Sequence, residues 1–321
     1  MSPRFVVGKV LGALGTLAFV LVFNFFLFRV VEGDPVATLF RGRNLTPDQR
    51  EQLRIDFGLD GSQFEQFVRY LEQTLTLNLG RSYTTNQPVI DEIWERAPAT
   101  LALVGIATIL STVLGLWIGT SAGWRRGTPQ DRFLTSGSMV TWSTPEFWLG
   151  MLLLTFFAVR LGLFPTGGIS DPSSDASGLG KLLDQAWHMF LPCLTLTVAY
   201  LGEYALIMRS SVVDVMREDY LTLARAKGLR DVQVRNRHAV RNALLPSTAL
   251  IAINFGFVIS GAITVETVFS WPGLGLLTYD ALRGPDLPLL QGLFLVFSAA
   301  VILFNLAADL LYPYLDPRVR Y

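Results

Sequence analysis

This chain is poor in the residues from which sites of chemistry are usually built. It has one cysteine, Cys193, and two histidines, His188 and His238. That excludes a disulfide framework and leaves too few ligands for a zinc site made by this chain alone, so no metal ligand is assigned. Cys193 lies in an apolar run and reads as a packing thiol. Lysine is scarce: Lys9, Lys181 and Lys227 are the only three, and none precedes Ser or Thr. The Gly-x-x-x-x-Gly-Lys-Ser/Thr phosphate cradle is therefore absent, as are a Gly-x-Ser-x-Gly elbow, a His-Glu-x-x-His pair and a Rossmann fingerprint. No catalytic residue is assigned, and no cofactor is expected on this chain. Charged residues make up only 16% of the 321 positions, 26 basic against 26 acidic. A net charge of zero lacks the basic excess that nucleic-acid phosphates require.

What the chain has instead is apolar length. About half of it is hydrophobic, 51%, which suits a protein that uses lipid as solvent. A spanning helix needs about 20 mostly apolar residues. Val10–Phe28, Ala97–Trp124, Asn242–Val265 and Leu287–Ala308 carry no charge before their ends, and Met189–Met208 is interrupted only by Glu203. Phe133–Val159 is interrupted by Pro145 and Glu146. It reads as one long broken helix, or as an interfacial helix followed by a short span. The expectation is an all-α integral membrane protein with six spans. The first run is too long for a typical signal-peptide core and no small-x-small site follows it, so it reads as an anchor.

Six spans put both termini on one side. Arg4 and Lys9, then Arg125, Arg126 and Arg132, then Arg217, Arg225, Lys227, Arg230, Arg235, Arg237 and Arg241, and finally Arg318 and Arg320 fall on that side. The alternate loops hold only Lys181 and Arg283. The positive-inside rule makes the basic set cytoplasmic, so the chain is expected N-in and C-in. Glu32–Arg96 has seven arginines, but it exceeds about 60 residues, a length at which loops translocate largely regardless of charge.

That segment reads as an ordered external lobe. Gly33-Asp34-Pro35 marks a turn, Thr46 and Pro47 start a helix that ends by Gly58, and Phe64, Phe67, Val68 and Leu71 recur at helical spacing. Pro88 opens a final helix through Asp91, Glu92 and Trp94. The lobe is either a spacer capping the bundle or a contact surface for an external delivery protein.

Tyr220 to Pro246 is the most informative stretch. Helix formers run from Asp219 to Lys227, and Gly228 fits a C-terminal stop. Ala224 and Gly228 lie four apart on one face, where the lack of bulk lets a partner approach the backbone. Arg225 and Lys227 flank that face. A second amphipathic piece covers Asp231 to Asn242. The alternative is a solvated basic loop that only obeys positive-inside statistics. Within the spans, ionisable and polar residues are candidates for a pathway or for interhelical packing. These are Glu146 beside Pro145, Glu203 with Arg209 six residues on, Asn254, and Glu266 at the end of the fifth span. Trp271-Pro272-Gly273-Leu274-Gly275 reads as a tight turn, with an interfacial tryptophan as anchor or with Trp271, Pro272 and Gly273 as an external gate.

Ala224-Arg225-Ala226-Lys227-Gly228-Leu229, with His238 and Arg241-Asn242-Ala243-Leu244-Leu245-Pro246, resembles the cytoplasmic coupling loop of ABC importer permeases. The likeness is to the dipeptide, oligopeptide and nickel branch, and to its B-type subunit. It extends to Gly33-Asp34-Pro35, Leu79-Gly80-Arg81-Ser82, Ser143-Thr144-Pro145-Glu146-Phe147-Trp148 and the run from Glu266 to Gly275. The chain departs from the general pattern where Thr222-Leu223-Ala224 replaces Glu-Ala-Ala, which puts a role for an acidic first residue in doubt. The resemblance implies a coupling helix formed by Asp219, Tyr220, Ala224, Arg225, Ala226, Lys227, Gly228 and Leu229, seated in a separate ATPase. It implies a second homologous permease, two ATP-binding subunits or a fused pair holding ATP and Mg, and an external solute-binding protein. The location would be the cell inner membrane. The organisation expected is 1–31 for the tail and first span, 32–96 for the lobe and 97–321 for the permease core, with the coupling loop at 214–242. Short peptides are the expected cargo, with nickel chelates, glutathione or another small solute as alternatives. An ion-coupled secondary transporter would normally show inverted repeats and more intramembrane carboxylates. A membrane anchor or receptor subunit is the other competing class.

Overall fold

Long apolar runs in lipid must satisfy their own backbone, and helices do so segment by segment. The computed structural model describes residues 3–31, 60–173, 177–244 and 262–315, with Thr46 and Gln49 in addition. Among the described residues the regular structure is helix, with one isolated bridge between Arg81 and Pro88. Helix α1 is Pro3–Phe25, continuing as a π-helical turn over Phe26–Val31. It is followed by α2 (Gln63–Leu75), α3 (Val89–Trp124), α4 (Pro129–Ser143) and α5 (Glu146–Leu153). α5 runs into a π-helical stretch, Leu154–Arg160, and then come α6 (Leu179–Val215) and α7 (Asp219–Ala226). The short α8 (Asp231–Gln233) leads into a π-helical turn, Val234–Ala239, and α9 (Leu274–Arg283) and α10 (Leu287–Leu315) complete the order.

Among the described residues four helices are long and apolar enough to cross a membrane: Pro3–Phe28, Val89–Trp124, Leu179–Val215 and Leu287–Leu310. A fifth candidate is the pair α4 and Glu146–Arg160, bent by 98°. The interrupted third segment is thus two pieces nearly at right angles, more sharply divided than a kinked single helix. Pro145 supplies the break: it is the N-cap of α5 and donates no amide. Most of the expected fifth span, including Asn254, lies outside the described residues, and so does the tail with Arg318 and Arg320.

α6 is the hub. Gly115, Gly119 and Gly123 put a bare stripe on α3 at every fourth position. A Cβ at Gly119 would run into the Ala205 carbonyl and come to 2.8 Å from Met208 Cβ; one at Gly123 would lie 2.9 Å from the Arg209 carbonyl. The backbones of α3 and α6 therefore meet directly. Gly202 does the same for α4, facing the Ser138 carbonyl and Thr141. By contrast α1 is peripheral, with Leu11, Leu14, Phe19 and Val22 more than half exposed. It joins the bundle through α10, where Lys9 pairs with Asp309 at 2.9 Å, and through Asn24. That buried amide donates to Tyr70 Oη and to the Gln291 carbonyl, both at 3.2 Å.

The expected lobe helices are partly described. Thr46 and Gln49 cap one another reciprocally at 3.3 and 3.0 Å, as the Thr-Pro-Asp-Gln sequence requires. α2 starts with a capping box in which Ser62 and Glu65 exchange bonds. The Ser62 amide, then its hydroxyl, holds the Glu65 carboxyl below its ordinary range. The buried face of α2 differs from the periodicity reading: Tyr70 is covered and Phe67 packs edge-on to Phe25, while Phe64 and Val68 stay exposed. The helix opened by Pro88 does not end in the lobe. It continues without interruption as α3, so residue 96 marks no structural break.

Candidate coupling and pathway site

The basic end of the bundle carries α7 and α8. α7 ends in a Schellman arrangement: the Gly228 amide bonds the Arg225 carbonyl at 2.9 Å and the Leu229 amide reaches the Ala224 carbonyl at 3.4 Å. Gly228 has φ +79°, the left-handed conformation that favours glycine, and the space where a Cβ would sit is empty. Ala224 is only 6% exposed and packs with Leu221, Val234 and Ala239, so its small size serves a contact inside this chain. That corrects the expectation that Ala224 and Gly228 share an outward docking face. The outward surface of the element is made by Leu223 (56% exposed), Leu229 and Val232, with Ala226 and Lys227 also exposed. Asp219 opens the helix and is exposed, while the Tyr220 hydroxyl turns inward and accepts from Asn242 Nδ2 at 2.7 Å.

Arg225 is exposed and places its guanidinium 5.6 Å from the Trp124 ring. Arg209, expected near Glu203, is paired with Asp131 through two bonds of 2.6 and 2.9 Å. Asp131 also accepts from the Gly127 amide and the Thr135 hydroxyl. It is buried, so a full set of donors is what makes its charge tolerable there. Sequence reasoning missed both Asp131 and Trp124. The signals were an acid in the first turn of α4 and an aromatic closing an apolar run.

At the bend of the third segment, Glu146 accepts from Tyr200 Oη at 3.1 Å and from Thr264 Oγ1 at 2.9 Å. Three separate elements thus converge on one half-buried carboxylate beside Pro145. Such a group can bind a cation or a donor while staying compensated.

Residues 266–275 are tied to α3 and to the start of α9. Glu266 is fully buried: one oxygen accepts from Thr100 Oγ1 at 2.7 Å, the other from the Gly275 and Leu276 amides at 2.7 and 3.2 Å. Thr100 Oγ1 in turn accepts the Leu274 amide at 2.7 Å. Glu266 therefore neutralises the N-terminus of α9 and ties it to α3. Neither oxygen of this path candidate is open, and the role its geometry shows is a tie between α3 and α9. Trp271 is 2% exposed and donates Nε1–H to the Ala99 carbonyl at 3.0 Å. A buried ring held to α3 is not an interfacial anchor. Pro272 follows it half-buried, and Gly273 has no room for a Cβ, which would collide with Glu266 and Thr100.

A chain whose described regular structure is helix, with four helices apolar and long enough to span and a bent pair as a fifth candidate, is a multi-pass membrane protein. Residues 111–321 match the family described as the binding-protein-dependent transport system inner membrane component, and residues 2–104 match its N-terminal companion. The chain is 38% identical to the glutathione transport system permease protein GsiC of Pectobacterium atrosepticum over 319 residues, 99% of each chain. It is 35% identical to the dipeptide transport system permease protein DppB of Escherichia coli K12 over 315 residues, 93% of each. An inward-facing structure of the MetNI methionine ABC transporter shares the fold, with a TM-score of 0.57 at 16% identity, over 71% of this chain and 96% of that one. The chain belongs to the family of inner membrane components of binding-protein-dependent transport systems: it is an ABC permease of the peptide-transporter type.

Proposed function

We propose that this chain forms half of the translocation pathway of an ATP-driven importer for short peptides. A homologous second permease completes the pathway, an external solute-binding protein delivers cargo, and two ATP-binding subunits or a fused pair hold ATP and Mg. The chain itself is non-catalytic and sits in the inner membrane with six spans, N-in and C-in. Full-length similarity to permeases named for dipeptides and for glutathione, itself a small peptide, supports the cargo class. Nickel chelates draw no support from those names.

The observation that carries the reading is α7. It is a two-turn helix whose inner face is packed on the bundle and whose outer face presents Leu223, Lys227 and Leu229. Seated in an ATPase cleft, it would receive the closure driven by ATP and convert it to rocking of the spans. Gly228→Trp places bulk in the open space beside that face. Because a Cβ at φ +79° is strained, Gly228→Ala is the matched control, sharing the strain without the bulk. Gly228→Trp is expected to weaken ATPase association about ten-fold or more relative to Gly228→Ala, equivalent to about 1.4 kcal/mol, with membrane insertion retained in both. ATPase association and uptake unchanged in Gly228→Trp would remove the coupling role of α7.

A further inference from the structure

α7 has covalent continuity with α6 through residues 216–218, and with the fifth segment through α8 and residues 234–244. It has none with α3, which lies about a hundred positions earlier in the chain. Yet α3 also carries, some two dozen residues before its C-terminal end, Ala99 and Thr100, which hold Trp271 and Glu266. A stroke delivered at α7 can reach α3 through α6, along the glycine seam, or by a direct contact with α3 itself.

Among the described residues Trp124 makes such a direct contact. Trp124 is the last residue of α3. The Arg225 guanidinium of α7 lies over its ring at 5.6 Å, a cation–π contact. Its Nε1–H donates to Asp231 Oδ2, at the start of α8, at 2.8 Å. The ring packs against the Leu221–Ala224–Val234–Ala239 cluster under α7 and also against the Met208–Val212–Ala243 cluster between α6 and the fifth segment. The neighbouring Gly123 lies against the Arg209 carbonyl, so the end of α3 cannot slide freely along α6. Both limbs of the α7–α8 unit therefore grip the same indole from opposite chemistries, a cation on the face and a carboxylate on the edge.

We propose that Trp124 is a positioning residue for energy coupling: it transmits displacement of α7 to α3 and thence to Glu266 and Trp271. This rests on the reading of α7 as the ATPase-coupling element. Asp231 orients the indole through its edge and Arg225 through its face, so the three act as one joint.

The test uses the complete transporter, with its companion permease and ATPase subunits, purified in nanodiscs. Cys193→Ser removes the native thiol, and Thr264→Cys, facing Glu146 at the bend, serves as reporter for a water-soluble maleimide. The labelling rate is read with and without Mg and a non-hydrolysable ATP analogue, so no cargo is needed. The parent complex is expected to change its labelling rate several-fold on nucleotide binding. Trp124→Ala abolishes most of that change while the ATPase subunits still co-purify. Trp124→Phe, which keeps a ring and loses the N–H, and Asp231→Leu, which loses the acceptor, each reduce it roughly three-fold, whereas Asp231→Asn, which keeps an acceptor oxygen, leaves it intact. A merely structural tryptophan would not separate nucleotide response from assembly in this way. A full nucleotide response in Trp124→Ala overturns the proposal; if that variant fails to assemble, unchanged responses in Trp124→Phe and Asp231→Leu overturn it. Absence of any nucleotide response in the parent complex would sink the ATP-driven reading, and this inference with it. Normal response in the parent with loss only in the Trp124 and Asp231 variants supports both.

Discussion

Glu266 is held by a hydroxyl and two amides with no solvent to replace them. Removing it leaves Thr100 and the α9 amides without an acceptor, the situation in which a buried hydrogen-bond network is most costly to break. Glu266→Ala is expected to destabilise the folded protein by about 2–4 kcal/mol, read as lowered thermal stability in detergent. Thr100→Val should share part of that loss, and the double variant should cost less than the sum because the two side chains serve one network. A strictly additive result would separate them. The turn at Trp271-Pro272-Gly273 was legible from its residue types. Its partner was not, because Thr100 and Ala99 lie on another helix and nothing local points to them. Ala224 shows the same limit: small size marks a close approach, but whether the neighbour belongs to this chain or another depends on the helix packed beneath it.

Helix contacts carry the architecture, and the α3–α6 seam is the tightest of them. Gly119→Leu forces a branched side chain into the Ala205 carbonyl and is expected to cost about 1–3 kcal/mol or to split the pair. A disulfide cross-link engineered across the seam should then form more slowly; an unchanged rate would show that the seam tolerates separation. The four-residue glycine spacing was readable in Gly115, Gly119 and Gly123 as a helix-pairing face, although composition and span length draw attention elsewhere. At the bend, Pro145 revealed an interruption, but its 98° came only with the geometry, since a missing amide permits a break without setting its angle. Glu146→Gln keeps one acceptor oxygen, turns the other into a donor amide and removes the charge. If the carboxylate meets the amino terminus of a peptide, uptake of free peptides should fall several-fold while that of N-acetylated ones is unaffected. Equal uptake of both relative to the parent would leave Glu146 a packing group.

At the scale of the whole chain, scarcity of lysine, histidine and cysteine argues against a phosphate cradle or a zinc site built by this polypeptide, and apolar length accords with lipid as its solvent. Glu266 and Trp271 tie residues 266–275 to α3, while α7 and α8 pack on α3 and α6. The most direct measurement is uptake of radiolabelled dipeptides into sealed proteoliposomes containing either this chain alone or the full assembly with its ATPase subunits. Uptake is expected only from the full assembly, only with ATP and Mg, and unchanged by ionophores. Accumulation by the chain alone, or uptake driven by an ion gradient without ATP, would contradict it.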